Sequence, residues 1–141
     1  SVVGADVYVA GTVDDVTGYF KAVYWKNGVQ ISLSGGSQHS YGFCLAISGN
    51  DLYVGGSNHN VSIVSGYWKN NFTSFNSLLP AMPYDAGDEA VGGIAVSGNN
   101  IYAAGSFKNF GKSQAVYWKN GIVTVLGNPA FYSSAGGIFV N

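Results

Sequence analysis

The side chains able to do chemistry in this chain are few, and most fall where the sequence is irregular. Asp14 and Asp15 are adjacent, and Asp85-Ala86-Gly87-Asp88-Glu89 is the densest acidic run. Paired carboxylates could serve a glycosidase or a lyase, and a hard cation such as Ca²⁺ seeks several carboxylate and carbonyl oxygens. The 85–89 run lacks the alternation of a calcium loop and reads as a solvated acidic loop. His39 and His59 have no Cys or second His at ligand spacing, so no metal and no cofactor are expected. No Ser or Cys sits in a nucleophile motif, and no acid, base and oxyanion donor assemble from spacing alone. The expectation is a protein that is not an enzyme.

Rings are more plentiful than charges. Tyr19, Tyr41, Tyr84, Phe107, Phe110, Phe131 and Tyr132 stand among those same acidic and imidazole residues. Such a mixture suits sugar recognition, because an aromatic face stacks on a pyranose while polar groups meet its hydroxyls. The candidate ligand-binding set is Asp14, Asp15, Tyr19, His39, Tyr41, His59, Tyr84, Asp85, Asp88, Phe107, Phe131 and Tyr132, with a glycan as the candidate ligand. Cys44, flanked by Phe43 and Leu45, has no partner for an intrachain disulfide and reads as a small buried thiol. Asn60-Val61-Ser62 and Asn71-Phe72-Thr73 are sequons of a length common by chance.

Composition narrows the partners. Six scattered Lys, no Arg and a net charge of -1 leave no cation cluster for phosphates and no guanidinium forks for bases, so neither nucleic acid nor an anionic membrane is expected as a partner. Apolar residues make up 47% and charged residues 9%, so the folded surface must be kept soluble by Ser, Asn and Gly, which gives it an extracellular character. No apolar run is long enough to insert into a membrane as a helix. The start, Ser1-Val2-Val3-Gly4, has neither an initiator Met nor a signal-peptide pattern, and the chain is read as an excised or processed piece.

The elements that position these residues emerge when the chain is laid against itself. Asp6-Val7-Tyr8-Val9-Ala10-Gly11 matches Asp51-Leu52-Tyr53-Val54-Gly55-Gly56 and Asn100-Ile101-Tyr102-Ala103-Ala104-Gly105. Val23-Tyr24-Trp25-Lys26-Asn27-Gly28 matches Gly66-Tyr67-Trp68-Lys69-Asn70-Asn71 and Val116-Tyr117-Trp118-Lys119-Asn120-Gly121. Ala46-Ile47-Ser48-Gly49-Asn50 recurs as Ala95-Val96-Ser97-Gly98-Asn99 and, cut short, as Phe139-Val140-Asn141. Two-residue alternation with β-branched and aromatic enrichment marks these segments as strands. Asn-Gly between apolar runs marks a two-residue hairpin turn, since both central residues need positive φ. In the middle copy Asn71 replaces the turn Gly. Each copy therefore reads as a four-stranded meander, set out in the middle copy as A (Gly42 to Ser48), B (Asp51 to Gly56), C (Ser62 to Lys69) and D (Phe72 to Leu79).

The expected architecture is all-β: a β-propeller of four-stranded antiparallel blades, with repeats over about 1–41, 42–90 and 91–134 and residues 135–141 as the innermost strand of a shared blade. Strand A, with Gly92-Gly93-Ile94 and Gly136-Gly137-Ile138, suits a crowded axis, and Trp25, Trp68 and Trp118 suit packing between blades. The A–B and C–D turns share one face. The other carries the longer B–C loops (Thr12 to Tyr19, Ser57 to Val61, Ser106 to Lys112) and D–A loops (Gly35 to Tyr41, Pro80 to Ala90, Asn128 to Ser134), and the candidate site lies there. On this division His39 and His59 belong to different modules.

Three blades are too few to close a ring, whereas two chains placed head to tail give six. Ala135 to Val140 of one copy is expected to complete the blade begun by Asp6 to Leu33 of the other. The stub Ser1 to Val3 duplicates Phe139 to Asn141, so one of the two must be displaced. The functional expectation is a non-enzymatic binding or scaffold module that self-assembles by blade completion. The alternative is a lectin-like module or a carbohydrate-active enzyme using the looped face.

The motifs Val-Tyr-Val-Ala-Gly, Tyr-Trp-Lys-Asn-Gly and Ile-Ser-Gly-Asn-Asp resemble those of bacterial secreted or surface proteins built from tandem Tyr-Trp-Lys-Asn-Gly repeats, and the A-turn-B part is similar to NHL-type propeller repeats. The resemblance implies a propeller and an exported parent protein. It supplies no catalytic residue, because its motifs are structural.

Overall fold

A computed structural model describes residues 1–35, 37–59, 63–70, 74–78, 90–109 and 111–141. They form three four-stranded antiparallel sheets, each a meander of strands consecutive in sequence. Sheet one contains β1 (Val2–Val3), β2 (Asp6–Asp14), β3 (Phe20–Lys26) and β4 (Val29–Ser32). Sheet two contains β5 (His39–Ser48), β6 (Asp51–His59), β7 (Ile63–Lys69) and β8 (Phe75–Ser77). Sheet three contains β9 (Ala90–Ser97), β10 (Asn100–Asn109), β11 (Lys112–Lys119) and β12 (Ile122–Val125). The all-β, repeated arrangement fits that of propeller blades.

The repeat signatures are explained by one clamp made three times. Asn27, Asn70 and Asn120 adopt φ of 51°, 59° and 51°, the left-handed conformation that Asn tolerates. In sheet one, the Asn27 side chain accepts from the Val7 amide at 2.9 Å and donates to Asp6 at 2.8 Å. Asn70 does the same to Leu52 and Asp51 at 2.9 and 2.8 Å, and Asn120 to Ile101 and Asn100 at 2.9 and 2.8 Å. Lys26 and Lys69 add ion pairs to Asp6 and Asp51. Lys26, Lys69 and Lys119 each lie over a tyrosine ring, those of Tyr8, Tyr53 and Tyr102, at 5.4, 5.3 and 5.5 Å. Lys-Asn after Trp is thus a device that fixes the register of strand C on strand B.

The tryptophans lie across glycines of the neighbouring strand. A Cβ at Gly11 would stand 2.7 Å from the Trp25 ring, and one at Gly56 would run into the Tyr41 carbonyl as well as stand 2.9 Å from Trp68, so a side chain at Gly11 would displace the indole and one at Gly56 would also break the β5–β6 ladder.

Sheets stack through two cores. Between sheets one and two, Ala22 and Leu33 meet Leu52, Val54 and Trp68. Between sheets two and three, Leu78 and Cys44 meet Val91, Ala103, Phe107, Val116 and Trp118. Leu33 and Leu78 hold the same place in their copies: each amide donates to a strand-C carbonyl, of Ala22 and Ser65, at 2.9 and 3.1 Å. Each side chain is inserted into the face of the next sheet.

The strands run further toward the looped end than the sequence pattern suggests. β6 pairs with β7 out to His59↔Ile63, and β5 starts at His39 instead of Gly42 because His39↔His59, Ser40↔Asn58 and Tyr41↔Ser57 extend the ladder. β2 reaches Asp14 and β10 reaches Asn109 in the same way. Part of each expected B–C loop, and the end of the first D–A loop, is therefore strand. Of the expected D strand, only Phe75–Ser77 is a strand among the described residues.

At the chain ends, Val2↔Val7 and Val3↔Asp6 reproduce the register of Ile47↔Leu52 and Ser48↔Asp51. The stub of strand A therefore occupies strand A's place in sheet one. Ala135 to Asn141 forms no ladder among the described residues. Ala135 N donates to Gly105 O at 3.2 Å, and Gly136 and Gly137 pass beside Gly92 and Gly93. That placement puts the segment against β9.

Candidate binding surface

The looped ends of sheets one and two converge on a chain of six rings. β3 begins with Phe20, which follows Tyr19. β5 contributes His39, Tyr41 and Phe43 at two-residue intervals, and β6 ends on His59. His39 and Tyr41 lie 6.4 Å apart with planes 18° from parallel, and Tyr41 and Phe43 lie 6.2 Å apart at 9°. Tyr19 and Phe20 approach His39 at 5.3 and 5.5 Å, Phe20 approaches Tyr41 at 5.5 Å, and His59 closes on Tyr41 at 4.9 Å.

The imidazoles are held in defined ways. The Phe20 amide donates to His39 Nδ1 at 3.1 Å, so a neutral His39 carries its proton on Nε2. His59 Nε2 lies 3.2 Å from the Ser57 hydroxyl. Burial, and then the neighbouring His39, push the His59 pKa below its ordinary value.

Beside the rings, Asp15 staples the β2–β3 turn. It accepts from the Thr17 hydroxyl, from the Thr17 amide at 2.8 Å and from the Tyr19 amide at 3.3 Å, and it lies 3.6 Å from Lys21 Nζ. The Thr17 hydroxyl is the main influence holding its carboxyl below the usual carboxylate range. With its oxygens so occupied, Asp15 shapes the loop that presents Tyr19.

Of the residues singled out in the sequence, Tyr19, His39, Tyr41 and His59 come together, with Asp14 paired to Phe20 at the edge. His39 and His59 prove to be direct cross-strand partners in one sheet, not members of separate modules, because β5 begins before the repeat boundary. Phe107 is buried in the core between sheets two and three, where its ring fills space against Trp118 and Val116. Phe131 and Tyr132 are exposed on the segment beside β11, where Ser133 N donates to Ser113 O. Tyr84, Asp85 and Asp88, with Glu89, Phe110 and the sequon residues Asn60 and Asn71, lie outside the described residues. Phe20 and Phe43 were missed as site residues. Phe43 had a signal in the repeat alignment, where a large ring stands against Gly92; the structure places both at the register shift of their strands.

No group of three His, Cys, Asp or Glu that could hold a metal occurs among the described residues. Burial pushes the Cys44 thiol up to about 12, which keeps it protonated and unreactive at neutral pH. No protein-family model and no curated protein matches the chain.

Proposed function

We propose that the chain is a non-enzymatic scaffold of propeller blades that assembles by blade completion, two copies closing head to tail into a six-bladed ring. The observation that carries this reading is a mismatch in burial between equivalent positions. Val54 and Ala103 are 0% exposed under the preceding sheet, whereas Val9 at the same place in sheet one is 51% exposed. At the other end, Leu126 donates its amide to Ala115 O as Leu33 and Leu78 do to their own strands. Leu33 and Leu78 are 2% exposed and Leu126 is 58% exposed.

One end thus offers an unfilled socket and the other an unseated plug of the same design. The socket face of sheet one includes a cleft of about 480 Å³ lined by Val13, Lys21, Gln30 and Ser32. Seating each large aliphatic side chain contributes about 1.5–3 kcal/mol, and a two-fold head-to-tail arrangement does so twice. In that assembly Ala135 to Val140 of one copy runs along β2 of the other, and Phe139 to Asn141 competes with Ser1 to Val3 for the same three ladder positions. An exported parent protein accords with the sparse charge of the surface. Size-exclusion chromatography with light scattering at micromolar concentration tests the reading: a particle of twice the chain mass is expected, and a stable monomer overturns it.

A further inference from the structure

We infer that the ring strip of Tyr19, Phe20, His39, Tyr41, Phe43 and His59 is a binding site for a neutral, linear saccharide. The repeats supply an internal control for what blade packing requires. Tyr41 pairs with Ser57 as Ala90 pairs with Ser106, and Phe43 stands at the bulge where β9 has Gly92. Sheet three thus forms the same ladder, with the same bulge, without either ring. Phe43 is 49% and Phe20 is 42% exposed. Large rings that are exposed and dispensable to the sheet point to recognition.

The chemistry of the strip selects the ligand class. His39, Tyr41 and Phe43 form a ladder of near-parallel planes with centroids 6.4 and 6.2 Å apart, which suits successive apolar sugar faces better than a single compact ligand. His39 Nε2, His59 Nδ1 and the phenol hydroxyls of Tyr19 and Tyr41 bring donors and acceptors to the ring edges for hydroxyl groups, while the other imidazole nitrogens are held by Phe20 and Ser57. Positive charge is scarce: the adjacent Asp15 and Lys21 are paired with each other, the exposed Asp14 at the edge is an anion, and no guanidinium is present to hold a phosphate or sulfate. A polyanion is therefore disfavoured. The strip lies within one chain, so this site and the proposed ring stand or fall separately.

The test is titration of the intact chain with neutral hexasaccharides, such as β-1,4-linked glucose and xylose oligomers, followed by calorimetry and by the histidine ring NMR signals. Binding is expected to shift the His39 and His59 signals. Phe43→Gly and Tyr41→Ala install the residues that sheet three already tolerates, and each is expected to weaken binding by roughly three- to tenfold while circular dichroism stays unchanged. Leu126→Asp, remote from the strip, is expected to leave binding intact. Silence toward all neutral oligosaccharides at millimolar concentration overturns the proposal. So does binding that both ring variants retain in full, or binding of a proline-rich peptide in place of the sugars.

Discussion

The junction between sheets two and three and the outer face of sheet one are built on the same repeat positions and differ in what lies against them. At the junction, Trp118 and Ala103 are fully buried; on the open face, their counterparts Trp25 and Val9 are half-buried and about half exposed, while Val23 and its counterpart Val116 are buried in both. At the junction the Trp118 indole N–H is buried and finds no hydrogen-bond partner among the described residues. Sequence identity at a repeat position therefore does not fix a residue's energetic role; the neighbouring blade does.

This comparison can be broken most directly by truncating the two tryptophans. Trp118→Ala is expected to cost about 3–5 kcal/mol of unfolding free energy in urea titration, and Trp25→Ala about 1–2 kcal/mol in the monomer. Equal losses would mean that the outer face is covered in solution in a way that does not involve assembly. Next in size, Val9→Asp or Leu126→Asp should abolish the light-scattering dimer while shifting the urea midpoint of the monomer little, because both side chains are exposed in the single chain. A dimer that survives both substitutions would place its interface elsewhere.

Asn120→Ala is expected to destabilise sheet three by about 1–2 kcal/mol, since it removes two hydrogen bonds and a residue suited to positive φ. It is the cleanest of the three clamps to test, because Asn100 replaces the aspartate and no ion pair compensates. The smallest effect concerns His59. Its pKa is depressed in the folded state, so the unfolded chain binds protons first as pH falls below about 6.5, and stability declines from there downward. The decline between about pH 7 and pH 5 should be shallower in His59→Gln, read from urea midpoints.

The blade pattern was legible because strand alternation and the Tyr-Trp-Lys-Asn turn are local signals repeated three times. The clamp was visible only as a motif, since nothing in Lys-Asn-Gly says that the Asn side chain reaches back to the start of strand B. The ring strip was half legible. Tyr19, His39, Tyr41 and His59 were chosen for their chemistry, but their convergence depends on β5 starting at His39 and β6 running to His59, an extension of pairing that alternation alone does not mark. Phe107 looked like a loop aromatic for the same reason: β10 continues past Gly105 and turns that ring into the core.

The Asn clamp has one more consequence. Each clamp joins the start of strand B to the end of strand C inside a single repeat and borrows nothing from the next sheet. Every hairpin therefore carries its own alignment key. Duplicating or deleting a whole repeat would leave the remaining keys intact, so an array of this kind can change its blade count without any strand losing its place.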